Sequence, residues 1–179
     1  EMEVNFVKKN FPLVSKFIRV LMLSHEERNA VEFFKSKVDP SVDLKLPESV
    51  FDDDGNLDKE GLESALKAVR NFLNSKIELV DILFGDTYPV VLEFMETFIQ
   101  ENFMDFVNDV FGADESKLQY MPEIYSQIMK DLCQKLENSE NGGASFHTVV
   151  REFFNMYLEP KIVTYLDIQP RIFQRAIFD

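Results

Sequence analysis

The chain has 179 residues, 45% apolar and 28% charged, with a formal net charge of −13. That length and apolar content are enough for a real core and exclude a disordered tail. No apolar run approaches the roughly 20 residues a bilayer crossing needs, and the acidic balance excludes nucleic acid, which demands clustered Lys and Arg.

Helical periodicity runs almost from end to end. A first segment carries Val4, Phe6 and Val7. Asn10 is placed to cap a second helix with Pro12 in its first turn and Val14, Phe17, Ile18, Leu21 and Met22 at helical spacing. Ser24-His25-Glu26-Glu27 reads as a capping box opening a third helix with Ala30, Val31, Phe33 and Phe34. Residues 38 to 57 are irregular, punctuated by Pro40, Pro47 and Gly55, and hold the acidic run Asp52, Asp53, Asp54. Asp58 is a natural N-cap for the cleanest stripe in the chain: Leu62, Leu66, Val69, Leu73, Ile77, Val80 and Phe84 step by three or four, which predicts a helix of about seven turns.

Gly85-Asp86-Thr87 breaks that helix, and Thr87 can cap the next, which runs to about Phe111 with Phe94, Phe98, Phe103 and Phe106 and stops at Gly112. Another helix is predicted from Leu118 to Leu136, with Ile124, Tyr125, Ile128, Leu132 and Leu136 on one face. A further one is predicted from Ser145 to Tyr157, and Pro160 and Pro170 interrupt the last region. The expected fold is all-α: one domain over residues 1 to 179, an antiparallel helical bundle or one segment of an elongated helical rod.

The chemistry-bearing residues point away from catalysis. Asp52-Asp53-Asp54-Gly55-Asn56-Leu57 resembles part of a calcium-binding EF-hand loop. With Gly55 at the sixth loop position, though, the first is Val50 and the twelfth is Gly61, and neither supplies a carboxylate. The single cysteine, Cys133, excludes a disulfide scaffold and suits a reducing cytoplasm; it has no local histidine to activate it. No catalytic, cofactor-binding or metal-binding residue is expected. Lys8, Lys9, Lys16, Arg19, Arg171 and Arg175 read as solvated helix surface, and the overall negative charge makes membrane association indirect at most. The partner-binding candidates are Asp52, Asp53 and Asp54, an acidic surface for a basic partner, and Phe98, Phe103 and Phe106, dense enough for some to face another helix.

The stretch from Val50 to Val110 is an acidic loop, a long helix ending at Ile82-Leu83-Phe84, a break, then Val90-Val91-Leu92-Glu93-Phe94-Met95 and a Phe-rich continuation. It resembles the helical-rod subunits of vesicle-tethering complexes, and in particular the recyclin branch of the exocyst Sec-ten-like family. The resemblance covers about a third of the chain and rests on helix lengths and hydrophobic placement. It implies stacked antiparallel helical bundles acting as non-enzymatic scaffolds in membrane traffic. The implied partners are tethering-complex subunits, SNAREs or small GTPases, and the implied location is the cytoplasm or the periphery of vesicle, endosomal or plasma membranes. The F-box and C-terminal lipidation signal of recyclins are not seen, and the chain begins at Glu1 rather than Met, so an internal fragment is expected. Two other readings stay open: a helical domain that binds or regulates a small GTPase, and a metal-binding helical-bundle enzyme. The latter would need Glu-x-x-His pairs, which neither His25 nor His147 provides.

Overall fold

The computed structural model describes residues 1–85, 90–111 and 115–133, with the single positions Thr148, Arg151, Glu152 and Met156. The described elements are all helical, and among the described residues there is no strand, only an isolated antiparallel bridge between Phe51 and Leu57. The order is α1 (Met2–Val7), α2 (Phe11–Leu23), α3 (Glu27–Lys37), α4 (Pro40–Asp43), α5 (Lys59–Phe84), α6 (Val90–Phe98), a π-helical turn (Ile99–Phe103) and α7 (Met104–Phe111). A 3-10 turn (Glu115–Tyr120), α8 (Met121–Ile128) and a second π-helical turn (Met129–Cys133) follow. The expected all-α bundle is what these elements form. Thr87 and Gly112, expected as a cap and a stop, lie outside the described residues. So does most of the predicted helix from Ser145 to Tyr157, whose four described positions are all helical.

Helix α5 is the axis of the fold. All seven residues of the predicted stripe are buried, and Ala65, Phe72 and Leu83 are buried beside them. Its buried surface is therefore wider than one stripe, as suits a helix with neighbours on more than one side. Helix α2 packs along it, and the Ser15 hydroxyl donates to the Leu83 carbonyl at 3.1 Å. Helices α6 and α8 and the second π-helical turn also lie against α5. Asp58 caps α5 as expected, its carboxylate accepting from the Gly61 amide at 3.0 Å. Gly61 costs helix propensity at this position, but a β-carbon there would collide with the capping carboxylate. Asp58→Ala is expected to lower stability by about 1 kcal/mol, read as a lower urea midpoint at unchanged slope.

The turns before α2 and α3 correct two expectations. Asn10 occupies the N-cap position, but its side-chain amide donates to Asn5 Oδ1 rather than capping α2. Ser24 opens no capping box. It closes α2, its hydroxyl donating to the Val20 carbonyl, and α3 starts only at Glu27. The cause is a Schellman motif: the Glu26 amide donates to Leu21, the His25 amide to Met22, and His25 takes φ 57°. The same motif ends α1, with the Asn10 amide on Asn5, the Lys9 amide on Phe6, and Lys9 at φ 55°. Two tight reversals thus stack α1, α2 and α3 without glycine.

Helix α1 is held to the end of α3 by the Glu3–Lys37 ion pair and by edge-on packing of Phe6 against Phe33 at 5.8 Å. The hydrogen bond and charge of Lys37 hold the Glu3 carboxyl below the usual glutamate range. The folded form therefore binds its proton less readily than the unfolded chain. Its contribution to stability is present above the ordinary glutamate pKa and is lost as pH falls through the lowered one. In an NMR titration, Glu3 should titrate below an ordinary glutamate, and Lys37→Gln should return it to that range.

Candidate interaction surface

The acidic run folds into a tight hairpin from Val50 to Asp58. The Asp52 amide donates to the Asn56 carbonyl at 2.9 Å, and the Asp58 amide to Val50 at 2.8 Å. The Gly55 amide donates to the Asp52 carbonyl at 3.0 Å, and Gly55 takes the positive φ of 81° that closes a three-residue loop. Asp52 is part of this turn. Its Oδ1 accepts from the amides of Asp54 and Asn56 at 3.0 and 2.7 Å. Asp53 and Asp54 are exposed, and among the described residues their carboxylates enter no ion pair. The three aspartates thus have two roles. One carboxylate shapes the loop, and two are free to meet a partner.

The hairpin is docked rather than loose. Phe51 packs on Tyr120 with ring centres 5.7 Å apart, and the Lys117 ammonium lies 4.9 Å from the Phe51 ring centre. Lys59, at the start of α5, pairs with Glu123 of α8 at 2.6 Å. The acidic apex is therefore fixed to the 3-10 turn and α8. No group of three or more His, Cys, Asp or Glu among the described residues is arranged to hold a metal ion.

Phe98, Phe103 and Phe106 are a correction. All three are buried within the chain and present no face to a partner. They continue a row of rings. Phe34 meets Phe84 and Phe94 edge-on at 5.9 and 5.8 Å, Phe94 stacks on Phe98 at 6.4 Å, Phe98 on Phe103 at 6.4 Å, and Phe103 meets Phe106 at 6.1 Å. Phe72 joins from α5, 5.5 Å from Phe98. In a regular α-helix, Phe98 and Phe103, five residues apart, would sit on different faces. The π-helical turn at Ile99–Phe103 has a wider turn and brings them back into line.

One buried polar group escaped the sequence reading. Asp131 is 2% exposed, accepts from Gln127 Nε2 at 2.7 Å, and receives a 3.4 Å hydrogen bond from Arg70 Nη1 on its backbone carbonyl. The signal was present: Asp131 falls between Ile128 and Leu132, both of which lie on the predicted apolar face.

The other exposed features lie at the opposite end of α5. A groove of about 740 Å³ runs between α2 and the end of α5, lined by Ile18, Met22, Leu83 and Phe84 with Arg19 and Asp81. Leu23 and Ile82, also in its lining, are largely exposed. No helix among the described residues is long and apolar enough to cross a membrane.

No family model and no solved structure matches the chain. A curated protein does: Recyclin-1 of Saccharomyces cerevisiae, 37% identical over an alignment of 203 positions that takes in 99% of this chain. The likeness is to the recyclins. It extends far beyond the third of the chain that suggested it, covering all the elements described above. The chain spans 24% of that recyclin's length, about a quarter.

Proposed function

We propose that this chain is a helical-bundle segment of a recyclin-type scaffold in intracellular membrane traffic, related to the Sec-ten-like tethering subunits, and that it binds proteins rather than catalysing a reaction. The observation that carries the reading is the 37% identity to Recyclin-1 over nearly the whole chain. The all-helical architecture supports it, because a bundle with its aromatic residues packed inside offers a rigid exterior for assembly. On this reading the partners are tethering-complex subunits, SNAREs or small GTPases. The acidic apex at Asp53 and Asp54 meets a basic surface on one of them.

The test is affinity capture from cell lysate with the folded chain as bait, run beside an Asp53→Asn, Asp54→Asn variant. Asp52 is left intact because its carboxylate holds the turn. Enrichment of trafficking proteins by the parent chain, weakened in the variant and less salt-dependent there, is the expected result. Equal capture by both baits removes the apex from the interface. Folded bait that captures no trafficking protein overturns the scaffold reading.

A further inference from the structure

The charge of this protein is not evenly spread. From Val4 to Ser24 the chain carries Lys8, Lys9, Lys16 and Arg19 and no carboxylate, although the whole has a net charge of −13. The structure exposes all four cations, and among the described residues none of them is in an ion pair. Helix α2 buries Val14 and Ile18 on its inner side. Its outer side exposes Leu13, Lys16, Val20 and Leu23, spaced by three, four and three, with Arg19 alongside. These positions form one line along the helix. Leu23 is 78% exposed and Val20 60%, and at the end of α1 Val7 is 73% exposed beside Lys8 and Lys9. A surface helix of a soluble bundle ordinarily turns polar and mixed-charge residues outward. This one turns outward aliphatics and unpaired cations.

We infer that the outer face of α2, with the Lys8–Lys9 turn, is a docking surface for an anionic lipid bilayer. Complementary charge selects the occupant: four cations without a carboxylate among them match a surface of acidic headgroups. The residue types favour lipid over a protein partner. The centre of a protein interface is depleted in lysine and enriched in aromatics. Here Lys16 lies mid-line between Leu13 and Val20, and the exposed apolar residues are all aliphatic. At a bilayer that arrangement works, because the lysine stem follows the aliphatics while its ammonium stays at headgroup level. Two carboxylates, Glu27 and Asp81, line the bordering groove and mark the edge of the cationic face. The net charge of the whole chain repels such a membrane only weakly, because salt screens charges beyond about 8–10 Å. The inference is independent of the scaffold reading, since vesicle binding is measured with no partner protein present.

The experiment is co-sedimentation of the full chain with phosphatidylcholine vesicles and with vesicles containing about a third phosphatidylserine. Binding to the anionic vesicles alone, weakened by salt, is expected. Lys16→Gln with Arg19→Gln should weaken it roughly thirtyfold, and Val20→Ser with Leu23→Ser should weaken it at unchanged charge. Thermal unfolding followed by circular dichroism checks that both variants remain folded. Equal binding to the two vesicle types, no binding at millimolar lipid, or unchanged partition of either folded variant overturns the inference. An acidic amphipathic peptide that binds this face while the vesicles do not also overturns it, in favour of a protein partner.

Discussion

Replacing Phe34 by alanine is expected to cost about 3–5 kcal/mol, the range for truncating a fully buried aromatic. Phe34 is wholly buried on α3 and touches Phe84 at the end of α5 and Phe94 on α6. Among the described ring contacts, those of Phe34 are the ones that join α3 to α5 and to α6. The truncation opens a cavity at their junction and removes two edge-to-face pairs, each worth about 0.5–1.5 kcal/mol beyond its area. For a protein whose total stability is about 5–15 kcal/mol, that is a large share. With a urea slope of about 2 kcal/mol per molar, the midpoint should fall by about 2 M. Val7→Ala, at an exposed position, should stay within about 0.5 kcal/mol. A midpoint for Phe34→Ala within that control's range would mean that the ring is not packed as described.

Single-residue deletions test the π-helical turn and should separate even more widely. A turn such as Ile99–Phe103 holds one residue more than the α-helix it interrupts. Gln100 within it is exposed. Its removal should let the segment close as plain α-helix, with the Phe98 and Phe103 side chains four apart and still on one face. The protein should remain folded, at a cost of no more than about 2 kcal/mol, within the range of ordinary single changes. Deleting exposed Lys67 from the regular helix α5 has no such outlet. It turns Leu62, Ala65 and Leu66 by about 100° relative to Val69, Phe72 and Leu73, so that one set must leave the core. Several buried side chains are lost at once, and the expected result is a chain that no longer unfolds cooperatively. Circular dichroism melts of the two deletions decide the matter. Equal damage from both would mean that the extra residue at Ile99–Phe103 is not what keeps the aromatic row in line.

These expectations mark the boundary between one-dimensional and three-dimensional information. Helix α5 was legible in full, from the Asp58 cap to the seven-residue stripe. A long amphipathic helix repeats its signal many times, and an N-cap aspartate acts on amides three residues away. The likeness to recyclins was legible for a related reason, since helix lengths and breaks are properties of the linear chain. Ser24 was not legible. A serine before two glutamates suits the start of a helix, but its hydroxyl equally suits a carbonyl one turn back. The choice fell to the left-handed turn at His25, which α2 and α3 need in order to pack.

Nor could the sequence say which phenylalanines face inward. It showed rings dense enough for an interface. The π-helical turn and the neighbours Phe34 and Phe72 gathered them into the core instead. The acidic run was visible as three equivalent carboxylates, and only the hairpin hydrogen bonds divided them into one that builds the turn and two that stay free. What the sequence alone determined was the helices, most of their inward stripes and the balance of charge, because periodicity and composition are local. The tertiary structure decided burial against exposure, and with it that Lys16 and Arg19 stand on the outer side of α2 while Val14 and Ile18 face inward, because this depends on which surfaces the helices hide from water against one another.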